Sequence, residues 1–375
     1  LLVGGVVSGD WSEWALRAAT VLVAAAPCAL VISIPVTYVA AMGRASRDGV
    51  LIKGGIYLEE LGRLRAIALD KTGTLTHGRP ELTEIHPLDG RDPDQLLTFA
   101  ATAERRSEHP IARAIVRAAD ARNLTIGEPD TFHAAVGGGI HARIDGTDLT
   151  IASPDYTTSQ GHDLNPAVTT VIEDLESSGN TTVVMADPTG PLAVLAVADT
   201  IRPQAADTIH RLRALGVNHI TMLTGDNPRT ARAIATRAGI DHVDASLKPE
   251  DKAARIRQLV DEHHHVAMVG DGINDAPPLA AASVGIAMGT AGSDIALETA
   301  DIALMADDLT RLVTAITIGR RTRRVVTQNL ILSLIILAAL VPAALFGVIG
   351  LAAAVLAHEL SELVVILNGT RMAKK

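Results

Sequence analysis

A short polar segment that follows an apolar run carries the strongest chemical signal in this sequence. Asp70–Thr76 reads DKTGTLT and comes directly after the apolar run Ala66–Leu69. Such a run predicts an inner strand of a parallel sheet, and open α/β sheets bind ligands at the carboxyl ends of their strands. The turn offers backbone N–H groups, hydroxyls and the charge of Lys71 to phosphoryl oxygens. Asp70 is therefore predicted to be a nucleophile that accepts a phosphoryl group, rather than part of an ordinary corner.

Two further polar segments follow apolar runs and are expected near Asp70. Thr224-Gly225-Asp226 follows Val217–Leu223, and the segment 270–275, GDGIND, follows Val266–Val269. Phosphoryl transfer depends mainly on positioning and charge neutralisation, which a hard cation held by carboxylates and phosphate oxygens helps to supply. Taken singly, each segment is also typical of a glycine turn or a helix-capping aspartate. Their joint occurrence in this order favours a catalytic site.

These segments together resemble the signature motifs of the P-type ATPases. The resemblance implies ATP as the phosphoryl donor, Mg²⁺ as a cofactor and an aspartyl-phosphate intermediate. In that family Asp70 is the nucleophile, Thr224 and Asn274 bind the phosphoryl group, and Lys252 neutralises it. The catalytic residues implied by the resemblance are Asp70, Lys71, Thr72, Thr224, Gly225, Asp226, Lys252, Asn274 and Asp275. The implied Mg²⁺ ligands are Asp70, Thr72 and Asp271.

The same resemblance predicts the fold class. It implies a multidomain membrane protein, with α-helical transmembrane spans and a haloacid-dehalogenase-like α/β phosphorylation domain that contains an inserted α+β nucleotide-binding domain. Signals for strands and glycine turns break off near Gly78 and resume near Leu192, which places the insert between them. The predicted domains are a membrane segment with its connector at 1–62, the phosphorylation domain at 63–79 and 192–308, the nucleotide-binding domain at 80–191, and two C-terminal spans within 309–375.

The predicted insert contains two segments that resemble the nucleotide-binding domain of the heavy-metal branch of this family. They are Ser107–Pro110, which reads SEHP, and Val136–Ile140, which reads VGGGI. In that branch the histidine orients the adenine, a glutamate five residues earlier binds it, and the glycines let the backbone approach the nucleotide. Alone, SEHP would be a helix-start cap and the glycines a weak signal. The nucleotide-binding residues implied by the resemblance are Glu104, His109, Gly137 and Gly139.

Three stretches with few charges are long enough to cross a bilayer, at about 14–43, 329–347 and 350–370. A spanning helix needs ~20 predominantly apolar residues, whereas a buried core helix, the alternative for each stretch, is usually shorter. Arginines and lysines cluster at one end of each stretch, and such flanks normally stay in the cytoplasm. We therefore expect an integral protein of the plasma (inner) membrane, in contact with membrane lipid, whose segment from about Arg44 to Arg324 is cytoplasmic.

Potential metal ligands occur inside two of these stretches. Cys28 follows Pro27 in the first stretch, and His358-Glu359 lies in the last. Pro27 removes a helical hydrogen bond, and an ionisable group at bilayer depth is a functional candidate by default. In metal-transporting P-type ATPases a CPC or SPC triplet occupies the place of Ala26-Pro27-Cys28. The pair His358-Glu359 resembles the start of the HEG(G/S)T signature of one subgroup. The mixed sulfur, nitrogen and oxygen donors of Cys28, His358 and Glu359 suit a borderline divalent ion. Together with this, the resemblance implies ATP-driven export of a divalent heavy-metal cation, Zn²⁺, Co²⁺ or Cd²⁺.

The sequence departs from those signatures in ways that change the expected ligands. Ala26 replaces the first serine or cysteine of the triplet, and Leu360-Ser361-Glu362 follows the His-Glu pair. Glu362 lies one helical turn after His358 and offers a replacement oxygen. The alternative is structural: Cys28 would be a small core residue, and Glu359 would pair with Arg17 or a helix end.

Two other classes of protein remain open. A soluble haloacid-dehalogenase-type phosphatase usually carries a second aspartate two residues after the nucleophile as a general acid. This chain has Thr72 there, so its aspartyl-phosphate would lack a nearby proton donor and persist. A non-enzymatic metal-binding membrane protein would not need Asp70, Asp271 and Lys252 together. The triplet His263–His265 is interpreted as a solvated turn, with a metal site as the alternative.

Composition limits the partners. The net charge of −9 provides no basic footprint for nucleic acid, and the single cysteine excludes a disulfide within the chain. The resemblance also implies regions that this sequence does not contain, namely the earlier membrane spans and the actuator domain that removes the phosphate. We therefore expect the chain to be the later part of a longer pump, with those regions as its partners.

Overall fold

The computed structural model describes residues 10–88, 90–135, 138–271, 275–289 and 298–374. Its strands form two sheets, of which the first has seven strands. These strands are β1 (Val50–Ile52), β2 (Ala66–Asp70), β9 (His219–Leu223), β10 (His242–Asp244), β11 (Val266–Gly270), β12 (Val284–Met288) and β13 (Ile302–Leu304). They lie in the order β1-β13-β12-β11-β2-β9-β10, and every pair except β1 with β13 is parallel.

The strand that ends in Asp70 is buried along its whole length because helices cover both faces of the sheet. Ile67 and Leu69 pack into one core, while the alternate residues Ala66 and Ala68 pack into a second core on the opposite face. Parallel strands buried on both faces read as continuous apolar runs, which explains the sequence pattern. The covering helices are α3 (Gly55–Arg63), α8 (Ala205–Ala214), α9 (Pro228–Ala238), α10 (Pro249–His263) and α11 (Ala276–Ala281).

The second sheet is antiparallel and has six strands in the order β3-β8-β7-β6-β5-β4. They are β3 (Thr76–Pro87), β4 (Thr131–Ala135), β5 (Gly139–Ile144), β6 (Thr147–Ala152), β7 (Thr181–Asp187) and β8 (Gly190–Ile201). Helices α4 (Pro93–Glu104) and α5 (Pro110–Ala121) pack on one face and α7 (Pro166–Ser177) on the other, while α6 (Pro154–Ser159) follows β6.

The predicted borders of the insert fall inside paired strands. The border at 79/80 lies in β3, and the border at 191/192 lies in β8. These two strands pair antiparallel and carry the chain out of the first sheet and back to it. The division of the chain into domains stays a prediction.

The remaining helices are apolar and form a bundle. They are α1 (Trp11–Ala25), α2 (Cys28–Arg47), α12 (Arg311–Leu345) and α13 (Leu351–Thr370). By length and hydropathy three segments of the described chain can cross a membrane: Trp11–Arg47, Arg311–Leu345 and Leu351–Ala373. The first is broken between α1 and α2 at Ala26-Pro27. Helix α12 begins well before residue 329 because its first turns pack against α3 in the core of the seven-stranded sheet.

Candidate functional site

The ends of three neighbouring strands form one cleft. β2 lies between β11 and β9, so Asp70, Asp271 and Thr224 follow adjacent parallel strands. The cleft has a volume of about 290 Å³. Nearly all of the predicted catalytic and Mg²⁺-binding residues line it: Asp70, Lys71, Thr72, Thr224, Gly225, Asp226, Lys252, Asp271 and Asp275. Asn274 lies outside the described residues, so its predicted role stays a prediction.

Two lysines hold the carboxylates of this cleft. Lys252 Nζ donates to Asp70 Oδ1 at 2.6 Å and to Asp275 Oδ1 at 3.0 Å. Lys71 Nζ donates to Asp226 Oδ2 at 2.5 Å. Asp70 is 5 % exposed and Asp275 1 %, so both carboxylates are almost fully removed from solvent. Lys252 therefore aims one oxygen of the predicted nucleophile while it bridges to a second buried acid.

The electrostatics of the cleft indicate a shortage of positive charge. Burial, together with the neighbouring Asp275, raises the pKa of Asp70 to about 7, although Lys252 opposes this rise. The two carboxylates in turn raise the pKa of Lys252. A cation that binds beside Asp70 would favour its charged form. Mg²⁺ prefers oxygen ligands, and Asp70, Thr72 and Asp271 offer oxygen atoms in the same cleft, so the donor set fits this metal.

The turn after Asp70 requires a glycine at position 73. Gly73 has φ +73°, and a Cβ built on it would lie 3.1 Å from the carboxylate of Asp271. A side chain there would both strain the backbone and push Asp271 away. The glycine in the DKTGTLT segment therefore lets the turn after the nucleophile approach the acid after β11.

Arg202 stabilises this turn through hydrogen bonds to its backbone carbonyls. It was not predicted from the sequence. It is 3 % exposed and donates to the carbonyl oxygens of Gly73, Thr74 and Thr76 at 2.9–3.0 Å. Its Nη2 also donates to Asp307 Oδ1 at 2.7 Å. A fully charged side chain is seldom buried unless its donors are satisfied. The one available signal was the presence of an arginine directly after the apolar strand β8.

Asp199, near the end of β8, was likewise not predicted from the sequence. Its carboxylate accepts from Thr76 Oγ1 at 2.5 Å and from the backbone N–H groups of Gly78 and Arg79 at 3.0 and 3.1 Å. It also lines the cleft with Asp70. Asp199 therefore fixes the start of β3, where the chain leaves the phosphate-binding turn.

Glu104 is a buried acid with an unsatisfied oxygen. It ends α4, is 5 % exposed, and its Oε2 has no hydrogen-bond partner among the described residues. Burial raises the pKa of Glu104 to about 7, and a hydrogen bond with Ser107 only partly opposes this. A buried acceptor without a partner is unusual in a folded protein and is expected where a ligand binds. This supports the predicted contact with a nucleotide.

His109 connects the second sheet to the phosphate-binding cleft. It caps α5, where its Nδ1 accepts from Ile111 N at 3.3 Å, and it lines the same cleft as Asp70. Partial burial lowers the pKa of His109, so its ring is neutral near pH 7. The sequence separates His109 from every phosphate motif, whereas the fold brings it to the mouth of the same cleft.

Replacing His109 with glutamine is expected to raise the KM for ATP in phosphoenzyme formation by about tenfold, because one oriented ring is lost. Phosphorylation of the chain by inorganic phosphate should survive, since Asp70 and its lysine are unaffected. His210→Gln, on an exposed turn of α8, is the matched control. Equal loss of both reactions would contradict a role limited to the nucleotide.

Two glycines are predicted to contact the nucleotide, and the one that the structure describes has a different explanation. Gly137 lies outside the described residues. Gly139 has φ +155°, and a Cβ there would lie 2.3 Å from the carbonyl oxygen of Ile151 on the paired strand. The close pairing of β5 with β6 therefore requires this glycine, whether or not a nucleotide binds. Its predicted contact with ATP stays a prediction.

The structure gathers three potential metal ligands inside the apolar bundle. The ligand atoms of Cys28, His358 and Glu362 all lie within 4.8 Å of one another. His358 Nε2 is 3.2 Å from Glu362 Oε1. Nearby, Ser333 Oγ is buried and has no hydrogen-bond partner in the described part of the chain. It lines a cavity of about 40 Å³ together with His358.

Glu359, the acid predicted from the sequence, does not belong to this group. Its side chain is exposed, whereas His358 is 8 % exposed. Successive residues of a helix point about 100° apart, so His358 and Glu362 share a face of α13 and Glu359 does not. Glu362, noted above as a replacement oxygen, is the acid that lies beside Cys28 and His358. The predicted role of Glu359 stays a prediction.

The histidine triplet is only partly exposed to solvent, so the prediction of a solvated turn holds for His264 and not for the packed rings of His263 and His265. The ring of His263 packs on His219 with 4.6 Å between centroids, and His219 stacks on His242 at 4.3 Å. His265 Nδ1 lies 2.8 Å from Glu60 Oε2. Only His264 of the triplet is exposed. Packing at the start of β9 and β10 therefore accounts for residues that the sequence assigned to solvent.

Comparison with known proteins agrees with this geometry. A family model described as haloacid dehalogenase-like hydrolase matches residues 64–283. A probable cadmium-transporting ATPase of Alkalihalophilus pseudofirmus is 42% identical, over 98% of this chain and 51% of its own length. The zinc/cadmium/lead-transporting P-type ATPase of Escherichia coli is 43% identical, over 98% of this chain and 49% of its own length.

A solved structure shows the same fold over the whole chain. The crystal structure of a zinc-transporting PIB-type ATPase in the E2.Pi state matches with a TM-score of 0.79 and 42% identity, over 100% of this chain and 60% of that one. The chain therefore belongs to the haloacid dehalogenase-like hydrolase family. Over nearly its whole length it is similar to P-type ATPases that are described as transporters of heavy metals. The resemblance and the fold class predicted from the sequence are confirmed. The chain spans about half the length of the curated relatives that it matches.

Proposed function

We propose that this chain carries the phosphorylation site and the ion site of an ATP-driven exporter of Zn²⁺, Cd²⁺ or Co²⁺. The observation that supports this most strongly is the presence of both sites in one chain. A buried carboxylate held by Lys252 lies at the end of β2, and a cysteine, a histidine and a glutamate lie together among apolar helices. A soluble phosphatase does not need the second site, and a passive metal-binding protein does not need the first.

The proposed reaction transfers the γ-phosphoryl group of ATP to Asp70. A carboxylate oxygen of Asp70 forms a bond to the γ-phosphorus, the bond to the bridging oxygen breaks, and ADP leaves with that oxygen. Mg²⁺, when bound by Asp70, Thr72 and Asp271, supplies charge neutralisation. Lys252 favours the ionised form of Asp70 and orients one of its oxygens for attack. Residues 71 and 252 place positive charge on the same cleft that receives the phosphoryl oxygens.

The donor set supports a borderline divalent ion. A thiol sulfur, an imidazole nitrogen and a carboxylate oxygen suit Zn²⁺ and its chemical relatives better than Ca²⁺, which takes oxygens alone, or Cu⁺, which prefers several sulfurs. The relatives named above are described as transporters of cadmium, zinc and lead, which agrees with this choice. We also propose that the catalytic domains lie in the cytoplasm. Arginines flank the ends of the apolar helices that adjoin these domains, and such flanks normally stay in the cytoplasm.

The test is metal-dependent phosphorylation of the chain in detergent. Mg²⁺ and γ-labelled ATP are added with Zn²⁺, Cd²⁺, Co²⁺, Cu⁺ or Mn²⁺, and acid-stable label is measured. We expect one or more of the first three ions to raise labelling by about tenfold or more over a chelator, because ion binding must be coupled to phosphorylation in an exporter. Labelling that is the same with every ion and with the chelator would support a phosphatase. Stimulation by Cu⁺ alone would contradict the proposed substrate.

The acid in the predicted nucleotide site also has an expected effect on stability. The pKa of Glu104 is about 7 in the fold against 4.5 ordinarily, so folding favours its neutral form. Its contribution to stability is fully present below pH 4.5 and is lost as the pH rises from 4.5 to 7. Above that range the charged acid costs about 3 kcal/mol. Glu104→Gln should therefore raise the melting temperature at pH 8 but not at pH 4.5.

Thermal unfolding of the chain in detergent, followed between pH 4.5 and pH 8, measures this difference. Glu108→Gln removes the same charge from an exposed position four residues away and should leave the pH dependence unchanged. If Glu104→Gln and the unchanged chain melt in parallel across the whole range, Glu104 does not titrate as its burial implies.

A further inference from the structure

A basic cavity lies where helix α12 leaves the apolar bundle and meets the seven-stranded sheet. Its volume is about 650 Å³. Segments from α3, the start of β2, the turn before β9 and α12 all contribute to its walls. No aspartate or glutamate is among the described residues that line it. Five arginines are: Arg63, Arg65, Arg320, Arg323 and Arg324.

The charge of this cavity is poorly compensated within the described chain. Of the five arginines only Arg63 has an acidic partner there, Glu59 on the same helix. The Nε groups of Arg63 and Arg320 are buried and have no hydrogen-bond partner among the residues that the structure describes, although Arg320 Nη2 donates to the carbonyl oxygen of Leu64 at 3.3 Å. Buried donors without acceptors are destabilising, and several guanidinium groups around one cavity repel one another. A phosphate group matches this site because it supplies negative charge and several acceptor oxygens at once.

The cavity continues onto an apolar surface, which distinguishes a lipid from a soluble phosphate. Ile331 lines the cavity one helical turn beyond its last polar residues and is 53% exposed. Leu334 and Ile335 follow on the same face of α12 and are 57% and 61% exposed. A basic cavity that continues onto an exposed apolar surface fits a molecule with a charged headgroup and apolar chains. Basic pockets beside cytoplasmic ends of membrane helices are typical places for anionic headgroups.

We propose that this cavity binds the phosphate headgroup of an anionic phospholipid, whose acyl chains lie along the exposed apolar face of α12. The inference rests on the membrane orientation proposed above. The bound headgroup would join α12 to Arg65, which immediately precedes β2. Since β2 ends in Asp70, the lipid would brace the strand that carries the nucleophile against the membrane helix.

The test uses the delipidated chain in neutral detergent, titrated with phosphatidylglycerol or phosphatidylcholine. Retained lipid is measured by native mass spectrometry in the absence of ATP and heavy metal. Arg323→Gln/Arg324→Gln removes two exposed arginines of the cavity. We expect this variant to bind phosphatidylglycerol about tenfold more weakly, since charge-assisted hydrogen bonds to phosphate are lost. Arg321→Gln, also exposed on α12 but outside the cavity, should change the affinity by less than about twofold.

Three results would overturn the inference. The first is an equal loss in Arg321→Gln, which would show general attraction to basic helix surface. The second is binding of phosphatidylcholine as tight as that of phosphatidylglycerol. The third is displacement of the lipid by inorganic phosphate at equal concentration, which would identify a soluble phosphate as the ligand. Thermal unfolding confirms that each variant is folded. Because neither ATP nor heavy metal is present, failure of the transport proposal would leave the lipid result unchanged.

Discussion

Asp70→Asn is expected to abolish the phosphoenzyme. An amide cannot attack the γ-phosphorus, so acid-stable label from Mg²⁺ and γ-labelled ATP should fall by about three orders of magnitude or more. The substitution keeps the size of the side chain and leaves an oxygen that can accept from Lys252, which also retains Asp275 as a partner. Loss of labelling would therefore report lost chemistry in a chain that remains folded.

Asp244→Asn is the matched control for this experiment. Asp244 ends β10 in the same sheet and pairs with Arg255 at 2.9 Å, but it does not line the cleft. Its replacement should leave labelling within about twofold of the unchanged chain, because an ion pair of this exposure contributes little. Hydroxylamine releases phosphate from an aspartyl-phosphate. Hydroxylamine-sensitive label that persisted in Asp70→Asn would show that a different residue is the nucleophile.

The sequence predicted the cleft because its signals are local. A buried parallel strand has apolar residues on both faces, and the residue at its carboxyl end enters the ligand crevice wherever the sheet is open. This rule places Asp70, Thr224 and Asp271 correctly without knowledge of strand order. The order itself, with β2 between β9 and β11, then follows from packing that no single segment reveals.

Arg202 and Asp199 could not be predicted because their partners are distant in the chain. Arg202 donates to carbonyl oxygens more than a hundred residues earlier, and backbone carbonyls carry no sequence signal. Asp199 accepts hydrogen bonds from N–H groups on the neighbouring strand. These bonds depend on how β3 and β8 pair. Both residues stabilise the phosphate-binding turn from outside it. A search for catalytic motifs alone therefore finds the turn but not its supports.

The choice between Glu359 and Glu362 depended on the rotation of one helix. Both acids follow His358 on α13, and sequence spacing shows only that Glu362 shares the face of His358. Whether that face turns toward Cys28 depends on the packing of α13 against α1 and α2. The resemblance favoured Glu359 because the family signature pairs it with the histidine. In the structure the acid grouped with Cys28 and His358 is Glu362.

The second prediction with a large expected effect concerns the candidate ion ligands in the apolar bundle. Cys28→Ala and His358→Ala should each abolish metal-stimulated phosphorylation, because two remaining ligands bind a divalent ion too weakly to drive the change. Glu362→Gln should shift the metal concentration for half-maximal labelling upward by about tenfold to a hundredfold. Glu359→Gln, one residue from His358 but exposed, should leave that concentration within about twofold.

The pair of glutamate variants separates the two possible ligand sets. Each removes one charge from the same helix, so a general effect of charge on the membrane segment would affect both alike. Nucleotide binding is measured in parallel and should stay near normal, since Glu104 and His109 lie in the second sheet's helices. A larger effect of Glu359→Gln than of Glu362→Gln would favour the set implied by the family signature. If Cys28→Ala and His358→Ala both retain full metal stimulation, the transported ion does not bind in this group, and the stacked histidines His219, His242 and His263 become the next site to examine.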